Sequence, residues 1–262
     1  MAEGAVPAPT SFEESYEVRR LERRTPTIAE LELHPLGDLL EYSPGEYVLL
    51  EDDLHEVPPR SYSVANAPRP DGVISLLVTC VPDGETSRWV HERLRVGEAV
   101  SISGPYGTFV DHPGSIRPAL FLAAGSGLAP IRALLEAELD TGTRDSLTLI
   151  FSARTEADVI DRARFEDWQR TQPRFRFVRT LTRGGGPPPN GRIPALLGTL
   201  CADLSEHDLF VAGAPGFVMA CADAAHALGA RRERIRTEVF FVEPQPWARE
   251  PVHQATDRQE RS

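Results

Sequence analysis

The sequence predicts two unlike halves: an antiparallel six-stranded β-barrel followed by a doubly wound, parallel-sheet α/β domain. Three observations carry the prediction. Residues 16–103 break into short, alternating segments separated by Pro- and Gly-bearing turns. From residue 119 onward the apolar runs become continuous and alternate with helical segments. Between them, His112-Pro113-Gly114-Ser115-Ile116-Arg117-Pro118 follows neither rhythm and is expected to link the halves.

Residues 1–14 are rich in Ala, Pro and Glu, which predicts a disordered lead-in. The first strand is Tyr16–Leu21. Thr27–Leu33 follows with clean alternation, the mark of a strand with one face buried and one wet. Tyr47–Leu50 comes after a Pro-Gly turn, then the segment around Arg60, then Val73–Thr79, and Ala99–Ser103 is the sixth. Six short strands with turn residues between them suit a small antiparallel barrel. One short helix, about Thr86–Leu94, interrupts it.

Ala119–Ala124 is apolar throughout, as expected of a strand covered on both faces in a parallel sheet. The helix after it places Ile131, Leu134, Leu135 and Leu139 on one stripe. Leu147–Phe151 as strand, Glu156–Gln169 as helix and Phe175–Val178 as strand continue the alternation. A Gly- and Pro-rich loop at 184–191 leads into a short helix at Ile193–Leu197. Leu209–Ala212 is a further buried strand, and its following helix carries Phe217, Cys221, Ala224 and Leu228 on one side. Arg234–Phe240 closes the domain. The expected division is therefore 15–112 for the barrel, 118–241 for the α/β domain and 242–262 for a polar C-terminal tail.

Composition narrows the function. With 41% hydrophobic and 26% charged residues over 262 positions, the chain has the profile of a soluble protein large enough for two cores. No apolar run approaches the roughly 20 residues a bilayer span requires. Met1–Ala5 has neither the basic start nor the apolar segment of a secretory signal, so no membrane association and a cytoplasmic location are expected. A net charge of −11 argues against nucleic acid, whose phosphates favour a basic surface. Cys80, Cys201 and Cys221 lie far apart and match no zinc or iron–sulfur spacing, so no metal site is expected. Neither a G-x-S-x-G elbow nor an H-E-x-x-H pair is present, which leaves serine and zinc hydrolases unsupported.

The chemistry-bearing stretch of the barrel is Arg60-Ser61-Tyr62-Ser63-Val64-Ala65-Asn66. On a strand, Arg60 and Tyr62 share one face and Ser61 and Ser63 the other. An aromatic ring that stacks, a guanidinium that holds a phosphate bidentately and a hydroxyl that meets a ring nitrogen suit a flat ring system with a phosphate tail. An edge strand with a solvated Arg and a half-buried Tyr is the plainer alternative. In the second half, Gly125-Ser126-Gly127-Leu128-Ala129-Pro130 ends the first buried strand and opens a helix, where backbone N–H groups and the helix dipole face an anion. It departs from G-x-G-x-x-G because the sixth position is proline. Gly213-Ala214-Pro215-Gly216 makes a comparable turn later. Two such turns in one parallel domain predict a ligand crevice.

In order along the chain stand Arg60-Ser61-Tyr62-Ser63, Gly84-Glu85-Thr86-Ser87, Gly104-Pro105-Tyr106-Gly107, Gly125–Pro130, Gly213-Ala214-Pro215 and Glu238-Val239-Phe240. This series resembles the ferredoxin–NADP(H) reductase family, including the reductase components of oxygenases, over about residues 15–241. The resemblance implies bound FAD and NAD(P)H. It places Tyr62 on the flavin ring, Ser63 near the reactive ring nitrogen, Arg60 on the FAD pyrophosphate, and Val64, Ala65 and Asn66 along the ribityl chain. Ser61 joins this cofactor segment. Gly84, Thr86 and Ser87 would make the second pyrophosphate contact, with a plain helix cap as the alternative for Ser87. Gly125, Ser126, Gly127, Ala129 and Pro130, with Gly213 and Pro215, would hold the nicotinamide dinucleotide. Glu238 and Phe240 would lie against the flavin, with Phe241 the alternative to Phe240 and a core position the alternative for either ring. Tyr62, Ser63, Glu238 and Phe240 are thus the expected catalytic residues.

One departure from the family stands at Ala212-Gly213, where many members have Cys-Gly and use the cysteine to position nicotinamide. The resemblance then implies slower or differently arranged hydride transfer. Arg154, Thr182 with Arg183, and Arg192 follow strands or open a helix at the cofactor end of the sheet. Guanidiniums there would clamp a 2′-phosphate, which leans the expectation to NADPH, while surface or adenine-stacking roles for Arg154 and Arg192 stay open. With no cluster ligands in the chain, electrons are expected to pass to a separate ferredoxin, oxygenase or haem protein. Two other readings remain: a reductase of free flavin or a small molecule, and a non-autonomous electron-transfer subunit of a larger complex.

Overall fold

The structure is a computed structural model that describes residues 12–52, 56–112, 114–183 and 189–240. Residues 1–11 of the expected lead-in, most of the 184–191 loop, the alternative ring Phe241 and the tail lie outside the described residues.

The first half is a six-stranded antiparallel sheet. Its strands are β1 (Phe12–Arg23), β2 (Ile28–Pro35), β3 (Tyr47–Asp52), β4 (Val57–Ser63), β5 (Ile74–Thr79) and β6 (Ala99–Tyr106), in the order β4-β3-β6-β1-β2-β5. The two outer strands meet where Val64 bridges Leu76 and the Ala65 N–H donates to Ser75 O at 2.8 Å, so the sheet closes on itself. Alternation fills the interior: Val18, Leu31, Leu33, Val48, Leu50, Ile74, Leu76, Val100 and Ile102 form one core. The helix α1 (Glu85–Glu92) seals one end of the barrel with Trp89 and Val90.

β1 begins at Phe12, which corrects the lead-in by three residues. Phe12, Glu13 and Glu14 pair with Gly104, Ser103 and Ile102 of β6, and that long-range ladder outweighs a composition that favours disorder.

The second half holds β7 (Ala119–Ala124), β8 (Leu147–Ala153), β9 (Phe175–Leu181), β10 (Asp208–Gly213) and β11 (Ile235–Val239), all parallel, in the order β11-β10-β7-β8-β9. Its helices are α2 (Leu128–Thr141), α3 (Arg162–Thr171), α4 (Ile193–Leu200) and α5 (Pro215–Ala227). Successive residues of β7 explain the continuous apolar run. Ala119, Phe121 and Ala123 enter a core with Ile131, Leu135 and Phe165, whereas Leu120 and Leu122 enter another with Leu197, Val218 and Cys221. Helices therefore cover both faces.

The expected helix Glu156–Gln169 is broken. A 3₁₀ turn over Glu156–Asp158 is capped reciprocally by Thr155 and Asp158, and α3 starts only after Asp161, whose φ of 55° is left-handed. Buried Ile160 forces the turn inward, and Asp is among the few residues that tolerate this conformation.

The two halves share a core. Ile28, Ala65, Leu77 and Phe109 of the barrel side pack into the same cluster as Phe121, Leu128, Phe151 and Phe210. The linking segment is pinned as well: Arg144 donates to Asp111 Oδ1 at 2.7 Å, Arg117 O at 2.8 Å and Asp208 Oδ2 at 2.9 Å, and Ser115 donates to Asp208 Oδ2 at 2.7 Å. Among the described residues no helix is long and apolar enough to cross a membrane.

Candidate active site at the domain seam

β4 runs along the barrel edge with Val48 opposite Tyr62 and Tyr47 opposite Ser63. Tyr62 is half-buried against the barrel core, and burial raises its hydroxyl pKa. Ser63, 4% exposed, turns toward the other domain and donates Oγ–H to Glu238 Oε2 at 3.0 Å. Glu238 sits on β11 in register with Ala212 of β10. Burial pushes its carboxyl up to about 7, against a smaller opposing effect of the Ser63 hydrogen bond. Two residues on, the Phe240 N–H donates to Gly213 O at 2.8 Å, which fixes Phe240 beside the second glycine turn.

Open α/β sheets bind ligands where the strand order reverses, which in this sheet is between β7 and β10. Gly125 adopts φ 57° and a Cβ there would face open space, so the turn is shaped by its left-handed backbone and its outer side is free for a ligand. Gly127 is different. A Cβ at 127 would lie 2.3 Å from Ala212 O and 2.8 Å from Gly213 Cα, so only glycine lets the two turns touch. Ser126 accepts from Thr79 Oγ1 at 2.8 Å, a link from β5 to the first turn.

On the barrel side, Arg60 donates to Pro59 O at 3.1 Å, and among the described residues no carboxylate pairs with it. Gly84 precedes α1, and a Cβ there would meet Ser87 Oγ at 2.6 Å. Ser87 Oγ instead folds back to accept from the Val81 N–H at 3.1 Å and donate to Gly84 O at 3.1 Å. Thr86 Oγ1 donates to Pro58 O at 2.6 Å. Ser87 is therefore not the helix cap: its hydroxyl closes the turn between Val81 and α1, while that of Thr86 holds α1 against β4. The Arg60 guanidinium, held by Pro59 O, the half-buried phenol and the first-turn N–H groups of α1 form a donor set that fits a pyrophosphate-bearing ring cofactor. The open left-handed turn at Gly125 fits a second dinucleotide.

Three expected cofactor contacts change character. Val64 and Ala65 are fully buried in the two cores. Asn66 has its amide committed inside the barrel: Nδ2 donates to Tyr42 Oη at 3.1 Å, Ala67 O at 2.8 Å and Val73 O at 3.0 Å, and Oδ1 accepts from Ser75 N at 2.6 Å. Its side-chain donors are thus not available to a ribityl chain. Arg154, Thr182, Arg183 and Arg192 are exposed beyond the ends of β8 and β9, with the Arg183 N–H bound to Arg154 O at 2.7 Å.

The sequence reading missed the seam itself. Arg132 on α2 is 1% exposed and donates Nη1 to Asp161 Oδ2 and Nη2 to Glu30 Oε1, both at 2.6 Å, and Nε to Ala65 O. Arg24 adds a bond to Asp161 Oδ1 at 2.7 Å. The available signal was Ile28 beside Glu30 on the outward face of a clean alternating strand, which marks that face as covered.

Against known proteins, residues 21–110 match the oxidoreductase FAD-binding domain family and residues 121–223 the oxidoreductase NAD-binding domain family. Reductase component 1 of terephthalate 1,2-dioxygenase from Comamonas sp is 30% identical over 223 residues, covering 84% of this chain, which spans 66% of that relative's length. Ferredoxin–NADP reductase B of Sorangium cellulosum is 35% identical over 192 residues, covering 69% of this chain and 78% of that protein. The crystal structure of an Amycolatopsis cytochrome P450 reductase superposes with a TM-score of 0.82 at 26% identity, covering 90% of this chain and 72% of that one. Barrel, crevice, glycine turns and relatives converge, and the chain belongs to the ferredoxin–NADP(H) reductase-like family of FAD- and NAD-binding oxidoreductases.

Proposed function

We propose that the chain is a FAD-dependent reductase that draws a hydride from NAD(P)H and passes electrons to a separate protein, a ferredoxin, oxygenase or haem protein. In this reading residues 15–112 hold FAD and residues 118–241 hold NAD(P)H. The observation that carries it is the 3.0 Å Ser63–Glu238 hydrogen bond, which draws the end of the aromatic strand β4 onto the crevice edge of the parallel sheet. Tyr62 and Arg60 orient a flavin ring and its pyrophosphate from the barrel. The turns at Gly125 and Gly213 bring the nicotinamide dinucleotide from the other side, and Phe240 covers the face it enters. Bound FAD supplies the chemistry, accepting a hydride and giving up electrons in turn.

The protein's own part is orientation, exclusion of water and proton handling. With its carboxyl near pH 7, Glu238 can hold or release a proton at Oε2 beside the Ser63 hydroxyl. Ala212 stands where many family members carry a cysteine that positions nicotinamide, which supports slower or differently arranged hydride transfer. Exposed Arg154, Arg183 and Arg192 lean the preference to NADPH through a 2′-phosphate. A separate acceptor is supported by relatives named as reductase components of oxygenases.

The test is steady-state oxidation of NADH against NADPH by the FAD-loaded chain, with and without added ferredoxins. Acceptor-dependent turnover supports the proposal. Turnover with free flavin alone marks a flavin reductase, and none with any acceptor marks a docking subunit.

A further inference from the structure

Resting on that reading, the geometry points to Arg132 as a positioning residue that, with Glu136, sets the distance between the two cofactor sites. The segment after β4 is pinned by the α/β domain at every second residue. Ser63 bonds to Glu238, Ala65 O accepts from Arg132 Nε, and the Ala67 N–H donates to Glu136 Oε2 at 3.0 Å. The three partners, Glu238, Arg132 and Glu136, all belong to the α/β domain. Asn66, between them, turns its amide into the barrel. Arg132 and Glu136 stand four residues apart, hence on one face of α2. That helix begins at Leu128, directly after the Gly125–Gly127 turn. One helix face is therefore stapled along the segment that follows the aromatic strand, and the anion-facing turn is carried on the same rigid rod.

The chemistry of the staple favours register over stability. Buried charges lose their hydration, and a well-packed apolar cluster would hold the seam as firmly. A guanidinium offers what Leu cannot: a planar fork whose donors accept only one arrangement of partners. Here Nη1 and Nη2 take Asp161 and Glu30, each also facing Arg24, and Nε is left to point at Ala65 O. Two carboxylates thus hold the guanidinium still while its third edge fixes β4's continuation. Arg164 steadies Glu136 from outside at 2.8 Å in the same manner.

Hydride transfer depends steeply on the approach of the two rings, and a displacement of about 1 Å can cost about 100-fold in rate. The experiment compares wild type, Arg132→Lys and Glu136→Ala. Reduction of bound FAD is followed by anaerobic stopped flow over a range of nicotinamide concentrations, and amide hydrogen exchange is followed on the cofactor-free chains. In both variants the limiting reduction rate is expected to fall about 10- to 100-fold with nucleotide affinity held within a few-fold. Exchange is expected to quicken in peptides spanning 63–67 and 125–132, without a rise elsewhere. Lysine keeps the charge but lacks the fork, and alanine removes the acceptor for the Ala67 N–H, so unaltered rates in Arg132→Lys and Glu136→Ala overturn the assignment. A purely structural role would raise exchange across both domains and leave the rate of the folded fraction unchanged, which also overturns it. If no nicotinamide reduces the wild-type chain, the functional reading itself fails and takes the staple with it, an outcome separate from a variant-specific result.

Discussion

Replacing Glu238 by Gln removes a buried ionisable group without removing its shape, and the pH dependence of stability should report the change. In the folded chain burial holds this carboxyl at about 7. In the unfolded chain it titrates near 4.3. The folded pKa is raised, so the protonated form is the one the fold favours: stability is fullest at low pH and is lost as pH rises through about 7. A difference of about 2.5 pKa units corresponds to about 3 kcal/mol between fully protonated and fully ionised limits. Between about pH 8.5 and pH 5.5 the carboxyl is ionised in the unfolded chain and becomes protonated in the folded one, and roughly 2 kcal/mol of that range should appear. The assay is urea unfolding of the cofactor-free wild type and Glu238→Gln across that interval, with all other titrating groups cancelling in the difference. The wild type should gain about 2 kcal/mol relative to the variant as pH falls, while the variant is less pH-dependent between pH 6 and 8. A constant difference at every pH, or one that grows as pH rises, refutes a desolvated carboxyl at this seam.

Other perturbations test other joints. Gly127→Ala drives a Cβ into the Ala212 and Gly213 backbone and should cost about 1–3 kcal/mol together with nucleotide affinity, whereas Gly125→Ala meets open space and should lose only the roughly 1 kcal/mol of a left-handed residue; urea unfolding and nucleotide titration separate them. Arg144→Leu leaves the Asp111 and Asp208 carboxylates without their cation and should cost about 3–5 kcal/mol by chemical unfolding. Arg60→Ala should leave the cofactor-free chain's melting temperature in place, since its bond is to Pro59 O, yet weaken FAD binding by about 1.5–3 kcal/mol in calorimetric titration.

The legible features were those written in local pattern. Alternation in Thr27–Leu33 and apolar continuity in Ala119–Ala124 fixed the two sheet types, because each depends on how many faces are buried. The glycine turns were legible because close backbone approach admits few alternatives. What escaped was set by partners distant in sequence. Glu30 falls on the outward side of its strand and so looks solvated, yet it is 2% exposed because α2 brings Arg132 over it from 102 residues away. Asp161 sits in a segment with helical composition, and its left-handed φ follows from burial of Ile160 and from two arginines that no local window contains. The family resemblance placed Asn66 along a ribityl chain, and its amide is an internal brace of the barrel.

Under the proposed function the two cofactor sites meet where Ser63 touches Glu238. The measurement that tests it most directly is the visible absorbance of the purified chain loaded with FAD, recorded anaerobically as NADH or NADPH is added in stoichiometric steps. The flavin band should bleach to an end point of one nicotinamide per flavin. A chain that takes up no FAD, or whose bound flavin keeps its full absorbance under excess of both nucleotides, contradicts it.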